Sequence, residues 1–408
     1  NAYPDYVALI TNHSPMASAC LGVFKEFCYG NGFNGKIGKK KVNEDETLAD
    51  ILKKVANDIA YLHRFAIAVE KEFVNGIFKK TKIYHLPIEW VRLGIPSAEG
   101  YVDRAHYNPY YNTADEFSGR ARKQEKKFFL YTNDLKKSSN QLGRHQKDSP
   151  KEPYTEVYFW SESNENDRVY SRPSYFESGE DLFRADAGIW EFYEAEIRNN
   201  FFLGGILAMT GNPDEPIPTK DDVEPITRGQ ALDKTLGASF GGSEKAGSIM
   251  TVWSENPDSA PSFIPYTSNN NDSKFANVRD STRVTIPSVM QVAPLLAGIE
   301  ISGKLGDSKE KEGAIRFQNE KTEWARTEMT KAFKNILQDF EGIATEELQA
   351  LEIMSKEEYL APPDYIWQSL PENAKLEYIK KKFPDLAEFI ITQETPQDNG
   401  NNITNPVN

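Results

Sequence analysis

The sequence predicts an α+β fold in which a small β-α-β-β unit is carried between two long helices. Three observations lead there: strand-like runs around an Asn75-Gly76 hairpin signal, an apolar stripe at helical spacing from Leu182 to Ile197, and glycine- and proline-rich breaks near residues 212 and 298. At 408 residues the chain exceeds one typical core and implies roughly two or three domains.

The elements follow in order. Ser14 is placed to cap a helix running to Tyr29, with Pro15 at its first position and Met16, Cys20, Val23 or Phe24, and Phe27 on one face. It ends at Gly30, Gly32, Gly35 and Gly38. That run lacks a Gly-Lys-Ser or Gly-Lys-Thr ending and follows no buried strand, so it is not a phosphate loop. Thr47 to Val69 reads as a second helix through Leu48, Ile51, Leu52, Val55, Ile59 and Leu62. Strands are expected at Phe65 to Phe73, Gly76 to His85 and Ile88 to Leu93, forming an antiparallel sheet beside the helices. Phe128 to Tyr131 and Val157 to Trp160 add strands separated by a polar loop containing Pro150 and Pro153.

A long helix is expected from Gly179 to Asn200, with Leu182, Ala185, Ile189 and Ile197 inside the stripe and Asp186, Glu191 and Glu194 outside it. A strand at Phe201 to Met209, an acidic proline-rich turn, a helix over Pro225 to Leu236, and strands at Ser248 to Trp253 and Ser262 to Tyr266 make the small unit. The next helix starts near Phe275, kinks near Pro287 and stops by Ala293, because Pro287 and Pro294 lack an N–H and disfavour helical geometry before them. Gly298 to Gly313 is a polar loop with four glycines, mobile unless another molecule orders it; its plain alternative is a surface loop between two helices of an ordinary domain. Met329, Phe333, Ile336, Leu337 and Phe340 then form another apolar stripe, and Glu346 to Ile353 suggests a short helix.

Composition narrows the function. No apolar run approaches the roughly 18 residues needed to cross a bilayer, and no signal-peptide pattern is present, so no membrane partner is expected. Cys20 and Cys28, about 12 Å apart along one helix, are beyond disulfide reach and read as core residues of a reducing compartment. The five histidines show no ligand spacing. A net charge of −13 argues against a DNA-coating protein. Residues 119–152, however, hold ten Lys or Arg against four Asp or Glu, a local +6 that leaves −19 elsewhere. This basic segment fits either a protein that meets nucleic acid without gripping it or a solvated loop.

The succession resembles the portal proteins of tailed bacteriophages. Residues 173–209 (PSYFESGEDLFRADAGIWEFYEAEIRNNFFLGGILAM) resemble the entry into a first stem helix and the start of the clip. Residues 231–253 (ALDKTLGASFGGSEKAGSIMTVW) resemble the clip helix, turn and strand. Residues 272–298 (DSKFANVRDSTRVTIPSVMQVAPLLAG) are similar to the second stem helix, and 312–337 (EGAIRFQNEKTEWARTEMTKAFKNIL) to the helix after the tunnel loop. NAYPDYVALI, SPMASACLGVFKEFCYGNGF and LPIEWVRLG resemble the wing. The likeness extends over most of Asn1 to Phe340; Ala293 stands where valine is usual, and the Lys-rich stretch 119–152 departs from the family pattern.

The resemblance implies a wing over 1–178, a first stem helix over 179–200, a clip over 201–266, a second stem helix over 267–297, a tunnel loop over 298–313, a long wing helix over 314–340 and a C-terminal wing or crown part with a disordered tail over 341–408. It implies a closed homo-oligomeric ring, usually a dodecamer, at a unique capsid vertex of the virion, assembled in the host cytoplasm. It further implies the major capsid protein, the terminase large subunit and head-tail adaptor proteins as partners, with double-stranded DNA in the channel without sequence specificity. No cofactor, metal or catalytic group is expected. Glu300, Ser302, Lys304, Asp307, Lys309 and Lys311 are the candidate DNA-facing residues; Asp214, Glu215, Asp221, Asp222, Glu224 and Arg228 are candidates for partner contact at the clip. Leu182, Ile189, Ile197, Phe275, Val278 and Ile286 read as stem packing, with Pro287 and Pro294 at the kink. The competing readings are a ligand-binding phage or cell-surface protein without a channel, drawn from its many tyrosines, and a hydrolase. No histidine stands beside paired carboxylates such as Glu194 and Glu196 to support the second.

Overall fold

The computed structural model describes residues 2–111, 113, 118–162, 170, 172–198, 205–217, 226–240, 249–254, 262–265, 271–299, 308–356 and 364–382. Asn1–Glu357 forms one compact unit and Glu358–Asn408 a second. The α+β class is borne out, with mixed sheets and helices in the first unit.

Two helices open the chain, α1 (Tyr3–His13) and α2 (Pro15–Tyr29). Ser14 caps α2 as expected, its hydroxyl accepting from the Ala17 N–H at 3.1 Å. Cys20, Phe24, Phe27 and Cys28 are buried along α2, and both thiols are free; burial, with Asp186 adding to it, pushes Cys20 up to about 12. Helix α3 (Leu48–Leu62) ends earlier than the sequence predicts, because His63 adopts a left-handed φ of 49° and caps it, freeing the next residues for a strand.

That strand, β1 (Arg64–Val74), pairs with β2 (Ile77–Leu86) through the expected Asn75-Gly76 turn, whose φ values of 53° and 86° suit a two-residue hairpin. β3 (Val91–Leu93) and β4 (Arg104–Tyr107) follow, the latter not anticipated. After the short α4 (Gly119–Gln124) comes β5 (Lys126–Leu130), then α5 (Leu135–Asp148) and β6 (Thr155–Ser161). The polar loop expected between the last two strands is therefore largely helix. Asp134 caps it, accepting from the Lys137 N–H at 2.9 Å, and only Ser138 and Gln141 are buried, so no apolar stripe announces it. The correction has a topological consequence. With α5 as crossover, β5 and β6 pair in parallel, and the sheet β2-β1-β6-β5-β4-β3 is mixed rather than antiparallel.

The chain continues through α6 (Ser174–Arg198), β7 (Gly205–Thr210), α7 (Arg228–Phe240), β8 (Ile249–Ser254), β9 (Ser262–Pro265), α8 (Asn271–Val289), α9 (Ser308–Leu337) and α10 (Thr345–Gln349). β7, β8 and β9 form a separate three-stranded sheet, β8-β7-β9, with β7 and β8 parallel across α7. The main core lies where α2, α3 and α9 meet β1; the whole predicted stripe Met329, Phe333, Ile336, Leu337 and Phe340 is buried there. In the second unit, α11 (Asp364–Ser369) and α12 (Glu372–Lys382) pack Trp367 edge-on against Tyr378. The short helix expected near Glu346 is α10; the tail from Asn399 lies outside the described residues. No helix among the described residues is long and apolar enough to cross a membrane.

Charge is buried beneath β1 and β2. Lys71 and Lys80 are cross-strand neighbours at a bulge. Lys71 Nζ meets the Glu156 carboxylate at 2.6 Å, with both side chains almost fully buried. Lys80 Nζ donates to Asn133 Oδ1 and to the Asn335 carbonyl near the end of α9, each at 3.1 Å. Burial, and then the Lys71 cation, push Lys80 from 10.5 down to about 8. The unfolded chain thus takes up a proton first as pH falls, so the stability linked to this group is present above 10.5 and lost down through 8, about 3 kcal/mol in all at ~1.4 kcal/mol per pH unit. We expect Lys80→Met to gain on wild type by that amount between pH 10.5 and 8, measured by urea unfolding; parallel pH profiles would contradict this.

Candidate functional site

Helix α6 starts five residues before Gly179, its first N–H groups closed by the Pro173 carbonyl. Tyr175 and Phe176 lie buried in that first turn, with Tyr3 and Tyr6 edge-on to Phe176. The pairing of α6 with α8 is read from its two ends. A Cβ on Gly179 would lie 2.6 Å from the Phe183 ring and 3.1 Å from Val289 Cγ1, so glycine is what lets the end of α8 approach the start of α6. At the other end Phe192 stacks on Phe275, with centroids 4.3 Å apart. The helices are therefore antiparallel over roughly 20 Å, and the β7–β9 unit is inserted at their far end.

Of the predicted packing residues, Ile189 and Ile286 are buried, and Leu182 and Phe275 are half-buried. Val278 is a correction: it is exposed, although Thr282 and Ile286, one and two turns on in the same i+4 row, are buried. The Ile197 side chain lies outside the described residues. Pro287 is buried inside the last turn of α8, which ends at Val289, ahead of Ala293 as expected; Pro294 opens a 3-10 turn, Pro294–Ala297. Trp190 and Val284, which periodicity did not single out, are large apolar side chains on the pair that remain 50% and 57% exposed.

The base of the pair is clamped to the N-terminal helices by Asp186, which the sequence places outside the stripe but the fold buries. Its carboxylate accepts from the Ser14 hydroxyl at 2.6 Å and the Met16 N–H at 3.1 Å, at the positive end of α2. Removing it leaves the buried Ser14 hydroxyl and the half-buried Met16 N–H without this acceptor. Asp186→Ala should cost about 1–3 kcal/mol in chemical unfolding and Asp186→Asn less; equal losses would contradict the charge-assisted role. Nearby, the Ala293 N–H donates to Gln318 Oε1 at 3.1 Å, tying the turn after α8 to α9. A cavity of about 110 Å³ lies at this junction, among Phe24, His63, Tyr175, Met290 and Trp324.

At the far end, Glu215 and Arg228 face one another at 2.8 Å, and the Arg228 N–H donates to the Glu215 carbonyl, so the turn around Asp214 is tied to the start of α7. Asp214 is exposed; Asp221, Asp222 and Glu224 lie outside the described residues.

The loop expected over 298–313 is shorter than that. Ser308 begins α9, where Glu310 sits favourably in the first turn of a helix-forming Lys/Glu run. Lys311 is thus an exposed helical residue, and Lys309 is helical in backbone. Glu300, Ser302, Lys304 and Asp307 lie outside the described residues. Among the described residues no cluster of His, Cys, Asp and Glu is arranged to hold a metal ion.

No protein-family model matches the chain, and no curated protein does. Among solved structures, the chain is similar to one in the virion of a native gene transfer agent particle, at 11% identity and a TM-score of 0.48, covering 96% of this chain and 91% of that one. It is also similar to a chain in the neck of the native particle computed with C12 symmetry, at 11% identity and TM-score 0.47, covering 94% and 91%. A third similarity is to a chain in the neck of the empty particle computed with C6 symmetry, at 10% identity and TM-score 0.48, covering 91% and 93%.

Proposed function

We propose that the chain is a portal-type subunit that closes with copies of itself into a ring, through which double-stranded DNA enters and leaves a phage-like capsid. The observation that carries this reading is the antiparallel α6/α8 pair. It holds the β7–β9 unit at one end, is anchored to the wing at the other, and leaves Trp190, Val278 and Val284 uncovered in a single chain. Large apolar side chains on a projecting helix pair are stabilised when a neighbouring copy covers them. An acidic subunit repeated around a channel repels the phosphate backbone and keeps sliding barriers low. The segment 300–307, set between the turn after α8 and α9, is the natural element to reach the passing duplex; its glycines let copies take unequal positions around it. The β7–β9 unit would meet the terminase large subunit and then the head-tail adaptor proteins, and the wing the major capsid protein.

Trp190→Glu with Val284→Glu tests the assembly. Light scattering should report subunits or small fragments in place of a multimer, with unchanged circular dichroism. A multimer of unaltered mass would count against these side chains as part of the subunit contact.

A further inference from the structure

Helix α5 is an odd element energetically: only Ser138 and Gln141 are buried, with Leu142 packed on Phe129 and Tyr154. Its value lies on the opposite side. At about 100° per residue, Lys136, Lys137, Asn140, Arg144 and Lys147 fall within one sector of about 100°, and all five are exposed. Lys136 to Lys147 spans roughly 16 Å of helix. Arg144 is held over the Phe129 ring, 5.0 Å from its centroid, and contacts the exposed Asp103 at 3.4 Å; Asp148, at the helix end, is engaged by Arg104 at 3.1 Å. Among the described residues no carboxylate lies within 4.0 Å of Lys136, Lys137 or Lys147.

We propose that the outward face of α5 is a contact surface for the phosphate backbone of duplex DNA, separate from the 298–313 segment. Two features select this partner. The sector has no apolar side chain, whereas a protein partner normally needs an apolar centre to its contact; phosphate contact needs only charge and donors. The stripe also sits in a basic segment, +6 over residues 119–152, of a chain that carries −19 elsewhere, so the acidic remainder disfavours a polyanion over most of the other surface. No base-reading geometry is implied, and binding should be indifferent to sequence.

The test uses the full chain and a fluorescently labelled 20-base-pair duplex of arbitrary sequence, followed by anisotropy. With three to four phosphates neutralised, affinity should fall roughly 40- to 150-fold between 50 and 200 mM salt. Lys136→Glu, Arg144→Glu and Lys147→Glu combined should weaken binding at least tenfold with an unchanged thermal midpoint, and by more than Lys304→Glu with Lys311→Glu, the variant of the channel-facing segment. No binding at 50 mM salt, loss only in the Lys304/Lys311 variant, or displacement by poly-glutamate as effective as by unlabelled duplex would each overturn the proposal. The first and third outcomes leave the channel reading standing, and the second favours it.

Discussion

Replacing Glu156 with alanine is expected to destabilise the chain by about 3–5 kcal/mol, the cost of leaving a buried charge without its partner. Its carboxylate takes the Lys71 ammonium at 2.6 Å, the Thr132 N–H at 2.9 Å, and the Tyr154 and Ser138 hydroxyls, from the six-stranded sheet, its adjoining loops and α5. Lys71, already pushed down by burial and held up by Glu156, would be left with no counter-ion. The loss should therefore shrink as pH rises and the amine sheds its proton. Lys71→Met combined with Glu156→Leu should recover much of the stability, since an apolar pair escapes the desolvation cost. Urea unfolding of the single and double variants decides it. A single-variant loss below about 1 kcal/mol would mean that the network does not hold β1, β6 and α5 together.

Gly30→Ala should be nearly as damaging, through shape rather than charge. The segment after α10 runs back across the end of α2: the Asn31 N–H donates to the Met354 carbonyl at 2.9 Å, the Met354 N–H to Gly32 and the Asn34 N–H to Glu352. Lys356 reaches Glu26 at 3.0 Å, and the Asn319 side chain pairs with the Lys356 backbone. Gly30 makes the approach possible. It holds φ 60° and ψ −131°, and a Cβ there would lie 2.0 Å from the Met354 carbonyl oxygen, so the clasp must open. A loss of at least ~2 kcal/mol and new proteolytic cleavage near residue 354 are expected. Gly35→Ala is the control, because its φ is also positive but nothing lies within 4 Å of the added atom. Equal behaviour of the two variants would show that backbone strain alone accounts for the effect.

What was legible in the sequence was what periodicity or a cap encodes. The Ser14 cap, the Asn75-Gly76 hairpin, the stripe through Met329 and Phe340, and the order of elements around the β7–β9 unit all follow local rules and are present. What failed depends on distant partners. Helix α5 buries Ser138 against Glu156, a carboxylate 18 residues on, and Gln141 against the Tyr154 hydroxyl, so its pattern reads as a loop. Asp186 looks like a solvated helix charge until the N-terminus of α2 is brought against it. Gly30 belongs to a glycine run whose partner is more than 300 residues away. Within the candidate site, the packing positions Ile189 and Ile286 were readable because a buried stripe repeats; the exposed Trp190 was not, since an apolar residue off the stripe carries no signal by itself.

Imaging the purified full-length protein by negative-stain electron microscopy tests the central claim most directly. Class averages should show closed rings with an open centre, and an antibody fragment or gold label placed on an exposed residue of the β7–β9 unit, such as Asp214, should mark one axial end of the ring. Compact particles without a central opening, or rings whose labels spread around the outer rim, would contradict it.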